Sequence, residues 1–358
     1  MESIYILSLN PGSTSTKIAV YRNSTAIFLK TINHSHDDLA KFERIADQYE
    51  FRKTAILKEL ENAEIRIDEL SIIMGRGGLI KPIESGVYEV NETMKNDLKN
   101  VAFGEHASDL GGLIADDIAS SIPGARAFIA DPVVVDELEP VARFSGHPAF
   151  TRKSVFHALN QKAIARQHAE IMLRKYEEMN VIVAHLGGGI TIGAHQKGRV
   201  IDVNNGLDGE GPFTPERSGT LPTGALVNMC YSGHYTKEKI KKMIVGEGGM
   251  YAYLHTTSAY EVEQKIKAGD ELALWVFDAM TYQVAKCIGE MFTVLKCEVD
   301  AVLLTGGIAN SKIFVNKVIE RVFKIAPVYV YPGEDELNAL AQNGLKVARG
   351  EVIPKIYE

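Results

Sequence analysis

The sequence predicts an α/β fold of two domains of related build, each a mixed β-sheet flanked by helices. Three observations carry that expectation. Residues 4–9 and 18–21 are β-rich apolar runs joined by Asn10-Pro11-Gly12-Ser13-Thr14-Ser15-Thr16-Lys17, and a third run at 26–29 follows the short turn Asn23-Ser24. The same grammar returns half a chain later: an apolar strand from Val181, the turn Gly187-Gly188-Gly189, a second strand to His195, and a third at 200–203. Finally, 358 residues suffice for two domains of ordinary size, each burying its own core.

Composition narrows the class. Charged residues at 24% and hydrophobic residues at 46% describe an ordinary globular protein. A formal net charge of −7 argues against a general nucleic-acid binder but not against an anionic nucleotide, which local loops decide. Cys230, Cys287 and Cys297 form no Cys-x-x-Cys pair, so they read as small buried hydrophobes in a reducing compartment. The start has neither a basic region nor a long apolar one, and no apolar run is long enough for a bilayer. A cytoplasmic protein without a membrane or nucleic-acid partner is expected.

Taken in order, residues 37–62 are charged and periodic without Pro or Gly, which predicts one helix. Residues 69–74 form a buried strand running into Gly75-Arg76-Gly77-Gly78, a positive side chain among glycines at a strand end, where open α/β sheets present binding groups. A short helix at 93–101 precedes Phe103-Gly104-Glu105-His106, with His106 at the start of another helix. The strand beginning at Ala127 ends at Asp131, stopped by Pro132; the carboxylate there reads as a turn initiator or as a Mg²⁺ group acting through water. Residues 146–176 give a turn and a long helix carrying His157. Residues 204–218 form a glycine-rich loop that delivers Arg217 beside Glu216, and long loops inside compact domains tend to be functional. Helices are expected at 221–231, 236–245 and, as one long amphipathic element, 261–296. A strand from Ala301 opens through Gly306 and Gly307 toward Asn310, and a last strand at 327–331 leads to Glu334, Asp335 and Glu336. Those three carboxylates precede a final helix at 337–349, where they could serve as caps. The expected division is a first domain at 1–150, a connecting helix and hinge at 151–180, and a second domain at 181–358 whose last helix could pack back on the first.

Small residues let backbone N–H groups approach an anion, hydroxyls donate to phosphate oxygens, and Lys17 adds a point charge. The first turn lacks the Gly-x-x-x-x-Gly-Lys pattern of a phosphate-binding loop that opens a helix, and a strand follows it. Three such turns in one chain imply two related domains closing on a nucleotide.

The motifs Asn10-Pro-Gly-Ser-Thr-Ser-Thr-Lys17, Gly75-Arg-Gly-Gly-Leu79, Phe103-Gly-Glu-His106, Phe156-His157, His185-Leu-Gly-Gly-Gly189, Gly211-Pro-Phe-Thr-Pro-Glu-Arg-Ser-Gly219 and Thr305-Gly-Gly-Ile-Ala-Asn310 run through nearly the whole chain. In type and order they resemble the acetate and butyrate kinase family, its butyrate branch above all, within the superfamily that also holds sugar kinases, actin and heat-shock chaperones. The resemblance implies two ribonuclease H-like domains with a nucleotide cleft between them. It also implies an ATP- and Mg²⁺-dependent kinase that converts butyrate reversibly to butyryl phosphate by direct in-line transfer, and a homodimer.

Carried over to this sequence, the resemblance places nucleotide contacts at Asn10, Ser13 or Ser15, Lys17, His185, Gly187, Gly188, Gly189, Gly306, Gly307 and Asn310. It places the substrate-side arginine at Arg76, the loop histidine at His106, the metal-side aspartate at Asp131, the transition-state histidine at His157 and the second catalytic arginine at Arg217. Asn10 and Asp131 fall on the metal side with Glu336, although Asp335 is close enough to be the true counterpart. Two departures stand out. Acetate kinases carry Phe-His-Gly-Thr-Ser-His where this chain has Phe156-His157-Ala158-Leu159-Asn160-Gln161, and an adenosine-contacting segment is replaced around Ser258-Ala259-Tyr260. The shorter chain and Pro215-Glu216-Arg217-Ser218-Gly219 favour the butyrate branch.

Competing expectations are an acetate, propionate or branched-chain acid kinase, and a nucleotide-gated module of the actin or chaperone kind. The latter leaves Arg76, His157 and Arg217 without a task. A sugar kinase would need an aspartate base, for which Asp131 is the candidate.

Overall fold

The computed structural model describes residues 3–358. The chain divides into two compact units, one running to Val135 and resuming over Asp335–Glu358, the other spanning Asp136–Glu334.

In the first unit β1 (Tyr5–Pro11), β2 (Ser15–Arg22) and β3 (Thr25–Asn33) form an antiparallel meander in which Asn10 pairs with Lys17. The turn between β1 and β2 closes with Gly12 N–H donating to Ser15 O at 2.7 Å. The helix expected over 37–62 is instead two: α1 (His36–Leu39), capped by Ser35, and α2 (Tyr49–Asn62), reached through a 3₁₀ turn at Ile45–Gln48. The break occurs because Arg44 is extended and its N–H bonds the Asp47 carboxylate at 3.2 Å, a capping arrangement that starts a new helical segment.

The sheet then grows by two strands paired in parallel and an antiparallel edge strand. β4 (Leu70–Arg76) lies beside β1; β5 (Val87–Glu89) forms the far edge; α3 (Glu92–Lys99) and α4 (Asp109–Ser120) intervene; and β6 (Arg126–Ala130) pairs with β4 and β5. The order is β3-β2-β1-β4-β6-β5. Alternation along the strands sorts the core: Leu7, Leu9 and Ile73 join Leu110 and Ile114 of α4 on one face. At Gly75 and Gly111 the strand and helix backbones approach so closely that a Cβ on Gly75 would stand 2.2 Å from Gly111 O.

The second unit repeats the plan. Its α5 (Ala158–Ile171) starts only after His157, which is therefore the residue at the helix N-cap and not inside the helix as expected. The meander of β7 (Asn180–Leu186), β8 (Ile190–Gln196) and β9 (Arg199–Val203) is antiparallel. Four helices follow: α6 (Thr223–Cys230), α7 (Lys237–Ile244), α8 (Gly249–Leu254) and α9 (Ala259–Lys267). α10 (Glu271–Val294) is separate from α9, so the long helix expected over 261–296 is broken. Gly269, at φ +88°, stops the first helix, and the Asp270 carboxylate accepts from Ala273 N–H at 3.0 Å to start the second.

β10 (Ala301–Gly306) pairs in parallel with β7; α11 (Lys312–Val322) follows; and β11 (Val328–Pro332) pairs in parallel with β10. The sheet order β11-β10-β7-β8-β9 has the same connectivity as β6-β4-β1-β2-β3. Ile182, Ala184 and Leu186 face Phe277, Met280 and Val284 of α10, while Val181 and Val183 face Ala165 and Ala169 of α5.

The last helix, α12 (Glu336–Ala348), belongs to the first unit and packs on β1 and β4, with Gly344 set against Ile72 and Met74. Among the described residues no helix is long and apolar enough to cross a membrane.

Candidate functional site

Two clusters of polar residues form at strand ends, one in each unit. In the first unit, β1 and β4 run parallel, with Leu9 beside Gly75, so Asn10 and Arg76 reach the same end of the sheet. Arg76 Nη1 donates to Asn10 Oδ1 at 3.2 Å and pairs with Glu336 Oε2 at 3.0 Å, and Asn10 Nδ2 donates to that same oxygen at 2.6 Å. Asn10 and Glu336 are buried. The two adjacent carboxylates thus part company: Asp335 accepts from Asn338 N–H at 3.1 Å as the cap of α12, while Glu336 joins the cluster.

Asp131 follows Ala130, the register partner of Arg76, and adopts φ +39°. It is buried, and its Oδ1 accepts from Gly86 N–H at 2.8 Å. His106 sits in the turn before α4, where its Nδ1 lies 2.8 Å from Ser108 Oγ. Ser13 and Lys17 are exposed and Ser15 is half-buried around the first hairpin turn.

Three residues without a role in the sequence reading hold this cluster's loops. Arg52, fully buried in α2, donates to Gly12 O at 2.8 Å, Ser13 O and Ser15 O at 3.2 Å, and Thr16 Oγ1 at 3.0 Å. Gln48 Oε1 accepts from the same guanidinium, and burial draws the Arg52 pKa down to about 10. Asp109, at the start of α4, accepts from Leu79 N–H at 2.6 Å and from His106 N–H at 2.8 Å, joining the segment after Arg76 to the turn bearing His106. Burial pushes the Asp109 carboxyl up to about 6, against the two backbone donors that favour its charged form.

In the second unit the cluster gathers around the turn at Gly187, Gly188 and Gly189. His185, near the end of β7, is buried, with Nδ1 2.8 Å from Asn160 Oδ1 and Nε2 3.1 Å from Glu334 Oε1. Its ring stacks on that of His157, centroids 3.8 Å apart. His157 Nδ1 lies 2.9 Å from Thr191 Oγ1. Arg217 Nη1 donates to Gly206 O at 2.6 Å, and Glu216 stands 3.8 Å from Nη2. Burial lowers the Arg217 pKa. Its Nε is buried and without a hydrogen-bond partner among the described residues, an unused donor inside the cluster.

Thr214, another residue the sequence reading passed over, positions that arginine. Its Oγ1 donates to Gly188 O at 2.6 Å and lies 3.0 Å from Arg217 N, so the loop is tied to the glycine turn. The glycines make room: a Cβ on Gly189 would stand 2.3 Å from Arg217 Nη1 and 3.3 Å from His157 Cε1. Gly306, at φ +92°, presses against the Leu186 backbone, which puts the Gly306-Gly307 turn beside the Gly187-Gly189 turn. Asn310 is exposed, and its Nδ2 donates to Gly307 O at 3.0 Å.

Among the described residues no group of three or more His, Cys, Asp and Glu could hold a metal ion. Mg²⁺ in phosphoryl-transfer sites needs less, usually one or two carboxylates with waters and substrate phosphates. Glu336 is a buried carboxylate of that kind; the Asn10 amide turns its nitrogen to Glu336 and its oxygen to Arg76.

The duplicated sheet topology, with glycine turns and cationic side chains at its strand ends, is a two-domain α/β fold of the kind that acetate kinases have. The family model for the acetokinase family matches residues 146–349, more than half of the chain, and the chain belongs to that family of carboxylate kinases. Solved structures agree on the fold. An acetate kinase from Porphyromonas gingivalis superposes with a TM-score of 0.76 at 18% identity, covering 96% of this chain and 100% of that one. A propionate kinase from Francisella tularensis subsp. tularensis gives 0.76 at 19%, covering 98% and 100%. The acetate kinase of Entamoeba histolytica gives 0.74 at 15%, covering 94% and 97%.

Proposed function

We propose that this carboxylate kinase transfers the terminal phosphoryl group of ATP to butyrate, reversibly, giving butyryl phosphate and ADP. The observation that carries the reading is the convergence of the Arg217 guanidinium and the His157 imidazole on one glycine, Gly189, in the turn between β7 and β8. A glycine turn with a planar cation and an imidazole donor beside it is what charge on the equatorial oxygens of a migrating phosphoryl group requires. The unused Nε–H of Arg217 supplies a further donor for such an anion.

The acid needs no general base, because a carboxylic acid is ionised at neutral pH. The work left to the protein is alignment and charge neutralisation. In this reading Arg217 and His157 hold the transferring group, and the turns at 187–189 and 306–307 take nucleotide phosphates and Asn310 the nucleoside side. Arg76 anchors the acid carboxylate; Asn10, Ser13, Ser15 and Lys17 line the first turn. His106 is held toward the same end of its sheet by Asp109. Glu336, with Asp131 acting through water, would hold Mg²⁺; when bound it neutralises charge on the nucleotide phosphates. Butyrate is favoured over acetate and propionate because the Pro215-Glu216-Arg217-Ser218-Gly219 loop resembles the butyrate branch of the family.

The test is acyl-phosphate formation, trapped as hydroxamate with ATP and Mg²⁺, across acetate, propionate, butyrate, isobutyrate and valerate. Activity peaking at butyrate and lost in Arg76→Ala and Arg217→Ala is the expected result. A peak at acetate or propionate would keep the mechanism and replace the substrate. Release of phosphate from ATP with no acid phosphorylated would overturn the reading in favour of a nucleotide-gated module.

A further inference from the structure

Behind His157 a line of buried polar side chains runs through the second unit's sheet. Tyr176 OH lies 2.7 Å from His195 Nδ1; His195 Nε2 lies 2.9 Å from Gln161 Oε1. Gln161 Nε2 donates to Thr191 O at 3.0 Å and to Thr191 Oγ1 at 2.9 Å, and Thr191 Oγ1 reaches His157 Nδ1. Gln161, Thr191 and His195 are wholly buried. Gly193 leaves the space for the amide, since a Cβ there would stand 2.5 Å from Gln161 Oε1.

The directions of the hydrogen bonds in this line start from one fixed acceptor. The Thr191 carbonyl can only accept, so the amide end beside it is the NH₂ group and Gln161 Oε1 must face His195. His195 therefore donates from Nε2. Burial, with Lys162 and Arg166 nearby, holds its pKa well below the usual histidine range, so the ring is neutral and its Nδ1 accepts from Tyr176 OH. On the other side, the second amide hydrogen of Gln161 goes to Thr191 Oγ1, and the backbone N–H of His157 approaches the same oxygen at 3.4 Å. With those two donors already facing it, the threonine hydroxyl hydrogen is left for His157 Nδ1.

We propose that Gln161 and Thr191 are positioning residues that fix His157 as the tautomer bearing its proton on Nε2. A neutral imidazole whose Nδ1 accepts from a hydroxyl keeps its one N–H on the opposite nitrogen. Gln161 stands where acetate kinases carry the second histidine of their Phe-His-Gly-Thr-Ser-His motif, so this chain sets its imidazole with an amide and a hydroxyl. The consequence for catalysis rests on the reading of His157 as a donor to the transferring phosphoryl group; the tautomer itself does not.

The experiment is ¹⁵N–¹H NMR of the full chain labelled at histidine, with the His157 signals identified by their loss in His157→Gln. At neutral pH the wild type is expected to show His157 with a protonated, pyrrole-type Nε2 and an unprotonated, pyridine-type Nδ1. Thr191→Ser should keep that pattern, and Thr191→Val should convert it to a tautomer mixture. A proton on Nδ1 in the wild type, an imidazolium, or identical spectra in wild type and Thr191→Val would overturn the proposal. Kinetics separate the two readings. Thr191→Val is expected to lower kcat about tenfold with KM unchanged and Thr191→Ser to recover it, a loss of one neutral hydrogen bond. The expected spectra with an unchanged kcat would uphold the tautomer and overturn the phosphoryl-donor role of His157.

Discussion

The imidazoles of His157 and His185 lie face to face, with centroids 3.8 Å apart and planes 11° from parallel. Each ring is anchored at its edge by a different partner, His157 by Thr191 and His185 by Asn160 and Glu334. The stack sets the plane of His157 while Thr191 sets its rotation within that plane. His185→Ala removes the support and leaves the Asn160 amide and Glu334 carboxylate without their shared partner. The expected outcome is a fall in kcat of about 100-fold, the cost of a displacement of roughly 1 Å at a reacting group. Single-turnover kinetics check it; an unchanged rate would show that the stack does not orient His157.

A second prediction concerns Gly189. Its missing Cβ is the space in which Arg217 lies, because an added methyl would stand 2.3 Å from Nη1. The guanidinium is a side-chain end and can yield, but only by leaving its bond to Gly206 O. Gly189→Ala should therefore cost activity more than stability: a kcat loss of about 100- to 1,000-fold, as for loss of one transition-state donor, with the thermal midpoint lowered only by the loss of the bond to Gly206 O. Parallel kinetics and calorimetry separate this from a folding defect.

These two relationships show why parts of the site were legible in sequence and parts were not. Turn chemistry is local, so the hairpins at residues 10–17 and 187–189 declare themselves in consecutive Gly, Ser and Thr residues. Arg76 and Arg217 stood out because each is a cation near glycines outside a helical pattern. Arg52 carries no such mark. It lies in a charged helical stretch, Tyr49-Glu50-Phe51-Arg52-Lys53, where an arginine reads as part of a solvated face, yet it is buried against three carbonyls of the first turn. Thr191 and Gln161 hide in the same way, one inside a strand and the other in the first turn of a helix. Their roles arise from pairing across the sheet, which periodicity does not encode. The break between α9 and α10 was a different kind of miss. Gly269-Asp270 is a local stop-and-start signal, but apolar residues continue on both sides of it.

Arg52 yields a stability prediction. Its fork donates to Gly12 O, Ser13 O and Ser15 O. Arg52→Met fills the volume but removes the donors to Gly12 O and Ser13 O, while Ser15 O keeps the Gly12 N–H; each carbonyl left unpaired away from water costs roughly 1–3 kcal/mol. Urea denaturation should show a loss of about 3 kcal/mol or more. Arg52→Lys should recover only part, because a point charge cannot address three carbonyls as a planar fork does. Full recovery with lysine would mean that charge and not geometry holds the turn.

The last prediction is a pH dependence at Asp109. Burial pushes this carboxyl up to about 6 from a model-peptide value near 3.8, although Leu79 and His106 donate backbone N–H groups to it; nearby Glu105 pushes in the same direction as burial. Because the folded pKa is raised, the folded chain binds the proton more tightly than the unfolded one. Asp109 therefore favours the fold most when protonated, and its contribution is lost as pH rises from about 4 to about 6. Asp109→Asn cannot titrate, and it turns one hydrogen-bonding edge toward His106 or Leu79 as a donor. The unfolding free energy of the wild type minus that of Asp109→Asn should consequently fall between pH 4 and pH 6, by on the order of 2–3 kcal/mol, and stay level above that range. Denaturant titrations of both proteins at intervals of half a pH unit test it. A flat difference would mean that the two backbone donors hold Asp109 ionised throughout, so that the link between the Arg76 and His106 segments does not respond to acid.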